Sequence, residues 1–158
     1  MRKVASVVTR WLPRLLGLAL GSLFFYAGLQ KQAAPYEFTD AILAYRLLPE
    51  SWAGLTGALL PWVEIVAGAA LALGNLVPSG HRSLGEAAVR LRRSALLLLV
   101  LLTALFVVVL LITMARGLKI ACGCGLFFQR PVGPAALVED LLLLGVAAWL
   151  YGRSDSPA

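Results

Sequence analysis

Residues 94–115 of this chain form a run of 22 without one charged side chain, SALLLLVLLTALFVVVLLITMA. A helix that is apolar all round belongs in the middle of a large protein or in lipid. The whole chain has only 158 residues, too few to enclose such a run in protein. The hydrocarbon core of a bilayer takes a helix of roughly 20 apolar residues, which this run supplies. Three further apolar stretches lie at about 12–30, 55–77 and 134–151. Composition agrees: 60% of residues are hydrophobic and 14% charged, where a soluble domain runs nearer half and a quarter. A soluble globular domain and a disordered chain are both excluded. The expected fold is an all-α membrane protein: a four-transmembrane-helix bundle with a short amphipathic outer helix, one domain over residues 1–158.

Two spans need comment. The first follows Arg2 and Lys3 and so resembles a signal peptide. It lacks a small-x-small cleavage site and three more spans follow, which reads as a retained helix. The second contains Pro61. Proline removes a helix hydrogen bond and crowds the carbonyl four residues back, that of Gly57. Either the helix starts near Trp52 and bends at Pro61, or Pro61 opens it.

Lysine and arginine placement sets the expected orientation. Arg2, Lys3, Arg10 and Arg14 precede the first span. Arg82, Arg90, Arg92 and Arg93 separate the second and third, and Arg153 follows the fourth. That side carries nine basic residues. The other carries five: Lys31, Arg46, Arg116, Lys119 and Arg130. Both termini are therefore expected in the cytoplasm, with residues 31–51 and 116–133 facing outward. The net charge of +6 is read as this topology signal, with anionic headgroups as a lesser reading for residues 78–93. No nucleic-acid partner is expected.

The first outward loop holds the amphipathic helix, at about 35–48. Pro35 suits a first helical turn and Glu37 sits early in it. Phe38, Ile42, Tyr45 and Pro49 fall at helical spacing. The stripe is read as packing and interfacial anchoring.

The second outward loop holds both cysteines of the chain, Cys122 and Cys124, separated by Gly123. Two cysteines exclude a disulfide-rich scaffold. Outside the cytoplasm disulfides persist. Glycine gives the backbone freedom that so small a ring needs. A strained disulfide is more readily reduced, and Lys119 and Arg116 are placed to favour a thiolate. The pair thus reads as redox-active, with a static disulfide and an inert reduced pair as the alternatives. A metal site is not expected: the only histidine, His81, lies on the opposite side, which also argues against a Cys–His nucleophile.

Three acids stand out. Glu64 lies within an apolar span, where a carboxylate is costly unless neutral, paired or facing a polar cavity. Glu139 and Asp140 lie in the first two turns of the fourth span, near its positive N-terminus. Each is read either as moving protons for thiol exchange or as pairing with Lys31, Arg116 or Arg130. The functional reading is favoured for Glu64, and pairing for Glu139 and Asp140.

These pieces together resemble a known family. They are Phe25-Tyr-Ala-Gly-Leu-Gln-Lys31, Phe38 with Ala44-Tyr-Arg-Leu-Leu-Pro49, Pro61 with Glu64 and Gly68, and Arg116-Gly117 with Cys122-Gly-Cys-Gly125. The chain is similar over nearly its whole length to the MauE group (methylamine utilisation protein) of the wider DoxX-like membrane proteins. Two departures stand out. Gly125-Leu-Phe follows the second cysteine where the family commonly has phenylalanine then glycine. Glu139 stands where an arginine often precedes the acid of the fourth span. The resemblance implies a bundle in the bacterial inner membrane that works beside a periplasmic thioredoxin-like protein and supports disulfide formation in a client protein.

The leading expectation is therefore a membrane thiol–disulfide relay. Cys122, Cys124 and Glu64 carry the chemistry, and Lys119, Arg116, Glu139 and Asp140 serve tuning or proton transfer. Whether the chain is itself an oxidoreductase is left open; a quinone is the one onward electron acceptor considered, and no residue pattern marks a site for it or for another cofactor. The alternative is a non-enzymatic scaffold whose structural disulfide helps it dock a periplasmic redox or oxidase partner. A small transporter ranks last, because spans three and four have too few polar residues to line a path.

Overall fold

The computed structural model describes residues 2–76, 82–118, 120 and 132–154. Five helices follow one another: α1 (Arg2–Ala33), α2 (Pro35–Ala44), α3 (Glu50–Leu76), α4 (Arg82–Ala115) and α5 (Pro134–Arg153). No strand occurs among the described residues. Four segments are long and apolar enough to cross a membrane: Trp11–Ala33, Glu50–Leu76, Gly85–Ala115 and Pro134–Arg153. The all-α membrane architecture expected from hydropathy is what the chain adopts.

Three boundaries differ from expectation. The helix expected over 35–48 ends at Ala44. Arg46 then adopts a left-handed backbone, φ 52°, a conformation that ends regular helix. The segment expected at 55–77 begins at Glu50 and continues through Pro61, so the reading in which Pro61 opens the helix is set aside. The segment expected at 94–115 begins at Arg82, because a helix need not stop where lipid does.

Close backbone contact between α1 and α3 organises the bundle. A Cβ placed on Gly68 would meet the Phe25 nitrogen at 2.5 Å and the Gly21 carbonyl at 2.6 Å. One placed on Gly28 would meet the Pro61 carbonyl at 2.7 Å. These antiparallel helices touch only because glycine occupies the contact, the usual device where lipid gives no hydrophobic drive for association. Helix α4 packs on α3 and α5, and α2 packs mainly on α3. A buried core of Phe24, Leu71, Leu96, Leu99, Ala147 and Leu150 joins all four long helices.

The outward faces stay apolar: Val66, Leu101 and Leu142 are each at least 60% exposed. Such faces suit lipid and would be anomalous in water. The buried hydroxyls of Thr103 and Thr113 donate 2.7 Å bonds to the carbonyls of Leu99 and Val109 on their own helix. That arrangement satisfies them without a partner helix. At the end of the bundle bearing the described N-terminal helix, the Arg93 guanidinium lies 5.5 Å from the Tyr151 ring and that of Arg153 lies 4.5 Å from Trp149. Paired aromatic and basic side chains of this kind mark a membrane interface.

Candidate functional site

Helix α2 covers the opposite end of the bundle, and three charged groups converge beneath it. Lys31 closes α1, Glu64 lies one turn past Pro61 in α3, and Asp140 lies in the second turn of α5. The Lys31 ammonium donates to Glu64 Oε1 at 2.6 Å and Oε2 at 2.7 Å. Their side chains are 4% and 1% exposed. The glycine contacts explain how they meet. Gly28 against Pro61 sets the register of the two helices, and side chains lean toward the N-terminus of their own helix. In an antiparallel pair, the Lys31 and Glu64 side chains therefore lean toward each other across that contact.

Two aromatic rings enclose the ammonium. It lies 5.4 Å from the centroid of Phe38 in α2 and 5.5 Å from that of Phe106 in α4, within range of cation–π attraction. Buried ion pairs hold only with good geometry and satisfied atoms. This one meets both conditions through two short hydrogen bonds.

Asp140 is buried at 3% exposure, and its Oδ2 has no hydrogen-bond partner among the described residues. The Lys31 ammonium lies within electrostatic range of it but is hydrogen-bonded to Glu64. Asp140 is among the residues that border a cavity of about 310 Å³ beneath α2. The remaining wall is almost wholly apolar and includes Phe38 and Ile42 from α2, Tyr45 just after it, and Leu105, Phe106 and Val109 from α4. The stripe read as packing and anchoring thus has Phe38, Ile42 and Tyr45 turned toward a cavity. Phe106 and Leu105 carried no signal in the sequence, being two apolar residues in an apolar run.

The other expected residues fall as follows. Glu139 is half-buried beside Asp140. The Arg116 Nη1 donates to the Arg46 carbonyl at 3.2 Å, tying the end of α4 to the linker between α2 and α3. Cys122, Cys124, Lys119, Arg130 and His81 lie outside the described residues. Both ends of the cysteine segment are described. The Val132 amide donates to the Ile120 carbonyl at 2.7 Å, and Val132 packs with Leu110 and Ala136. Leu110 also lines the cavity. Among the described residues no cluster of three metal-ligating side chains occurs.

Four lipid-facing spans around one glycine-packed contact define a multi-pass membrane protein. The chain matches the family described as methylamine utilisation protein MauE over residues 9–153, and it belongs to that family. Comparison with curated proteins and with solved structures gave no match.

Proposed function

We propose that this chain is a thiol–disulfide redox protein of the MauE family within the wider DoxX-like group. It exchanges electrons between Cys122 and Cys124 and a periplasmic thioredoxin-like partner, in support of disulfide formation in a client protein. The observation that carries this reading is the placement of both cysteines in one segment whose described ends, Ile120 and Val132, close on each other. Cys122 follows Ile120 by two residues, a reach of at most about 7 Å. Membership in the MauE family supports the same reading. In this proposal the chain sits in the bacterial inner membrane with both termini cytoplasmic and the cysteine segment outside.

The chemistry is ordinary exchange. A thiolate of one protein attacks a disulfide sulfur of the other, and a mixed disulfide forms. The second cysteine of the oxidised pair leaves as a thiolate and takes up a proton. Attack by the remaining thiolate then resolves the mixed disulfide, so that two electrons and two protons have changed hands. Arg116 and Lys119 favour the thiolate form by charge. Glu64 has both oxygens engaged by Lys31. Asp140, with a free oxygen, is therefore better suited than Glu64 to accept and return a proton.

Single Cys122→Ser and Cys124→Ser variants are expected to accumulate a mixed disulfide with a partner, visible as a reducible higher-mass band. Full client oxidation in cells carrying only the double variant would overturn the proposal. The buried, fully satisfied Lys31–Glu64 pair favours one competing reading, a docking scaffold with a permanent cysteine clip. In that case the pair stays oxidised throughout a glutathione redox titration.

A further inference from the structure

Positive charge gathers at the end of the bundle where α1 and α4 begin and α3 and α5 finish. Nine basic side chains flank the spans there, against two acids, Glu86 and Asp155. Glu86 lies 3.8 Å from Arg90 on an exposed face of α4. Two acids can match only a minority of these cations. The packing of α3 draws two of the arginines together. A Cβ placed on Gly17, one turn past Arg14, would meet the Asn75 side chain at 2.6 Å, and one placed on Gly74 would meet the Arg92 Cβ at 3.2 Å. Adjacent residues in the last turn of α3 thus hold α1 on one side and α4 on the other. Arg14 and Arg92 are both half-buried and lie within electrostatic range of each other.

Two guanidiniums so placed repel each other, and the end of α3 beside them supplies only about half a negative charge. Topology alone accounts for basic residues on one side of the membrane, and arginines spread out in water would serve it equally well. Convergence from separate helices is instead how guanidiniums grip a phosphate. Depth agrees with that use. Arg14 directly precedes the uncharged stretch 15–30, and Arg92 lies two residues before the uncharged run 94–115, so both stand at headgroup level. Trp11, 5.9 Å from the Arg14 guanidinium, is an aromatic of the kind found there. Arg93, next to Arg92, lies 5.5 Å from the Tyr151 ring, so the cluster reaches from α1 to α5. Those two helices form the loosest side of the ring of four long helices, which opens the cluster to the bilayer. A zwitterionic headgroup brings its own ammonium against the guanidiniums. An anionic one brings net negative charge.

We propose that Arg14 and Arg92 hold the phosphate of an anionic phospholipid whose headgroup carries no amine, with its acyl chains along the seam between α1 and α5. Phosphatidylglycerol meets that description. The inference is independent of what the cysteines do and of which face of the membrane this end occupies.

The test uses the full chain in phosphatidylcholine bilayers, with phosphatidylglycerol or phosphatidylcholine spin-labelled near the end of one acyl chain as probe. The motionally restricted fraction in the electron paramagnetic resonance spectrum measures lipid held by the protein. Phosphatidylglycerol should be preferred about tenfold or more at one site per chain. Arg14→Gln and Arg92→Gln should each lower that preference about fivefold. Arg90→Gln removes the same charge from the exposed face of α4 and should leave the preference unchanged. Where one of the first two variants does not fold, the other carries the test. The proposal is overturned if the unaltered chain shows no preference, or if the preference survives both Arg14→Gln and Arg92→Gln. It is equally overturned if Arg90→Gln lowers the preference as much as they do, which would make the attraction a diffuse field. Displacement of the labelled lipid by inorganic phosphate at constant ionic strength also overturns it, since the occupant is then a free anion.

Discussion

Lys31 and Glu64 stand 33 positions apart in the chain and share two hydrogen bonds in the fold. An acid in an apolar span demands a partner, so the need was legible at Glu64. Its answer was not, because three cations lay in reach of the argument and only the helix register selects Lys31. Removing one member leaves the other charge buried and unmatched. Lys31→Met is expected to destabilise the protein by roughly 3–5 kcal/mol. The double change Lys31→Met with Glu64→Leu should recover most of that loss, since apolar replacement of a whole buried pair is often neutral. Thermal unfolding of the detergent-solubilised variants measures both. Glu139 and Asp140 pose the reverse problem. Helix α5 is apolar on nearly every side, so no polar stripe reveals which of two adjacent acids turns inward. The structure buries Asp140 and leaves Glu139 half-buried.

At the scale of elements, hydropathy marked where lipid lies and left helix ends unmarked. Helix α4 starts at Arg82 because arginine, leucine and alanine favour helix on either side of an interface. Pro61 was ambiguous because its tolerance depends on what lies across from it. There Gly28 admits the α3 backbone at a distance no other residue allows. Glycines therefore divide into two kinds. Gly68→Val should push α1 from α3 and cost at least the roughly 1–3 kcal/mol typical of overpacking. Gly145, in α5, has open space where a Cβ would go. Gly145→Ala should be neutral or stabilising by up to about 1 kcal/mol through helix propensity. Unfolding by sodium dodecyl sulfate, followed by helical circular dichroism, separates the two outcomes.

For the molecule as a whole, four spans and their order followed from composition, since only lipid tolerates so apolar a surface. The proposed orientation rests on nine basic residues against five. A membrane-impermeant maleimide applied to intact spheroplasts is expected to label Cys122 and Cys124 after reduction. In a chain with both cysteines replaced by serine, Ser154→Cys should label only after permeabilisation. The opposite pattern reverses the topology. The cavity beneath α2 could not be read from sequence at all. Its lining comes from α2, α3, α4, α5 and the linker after α2, and an empty space leaves no periodicity behind.

The contact between α1 and α3 also bears on how the protein is made. The glycine contacts and both members of the ion pair lie within the first 76 residues. A nascent chain therefore holds everything needed to neutralise its most costly buried charge before α4 leaves the ribosome. Chains fold from the N-terminal side as they are synthesised, so α1 to α3 can settle in the bilayer as a preassembled half. Helices α4 and α5 arrive on a finished surface, and Asp140, whose Oδ2 has no hydrogen-bond partner among the described residues, is the last of the three charges delivered.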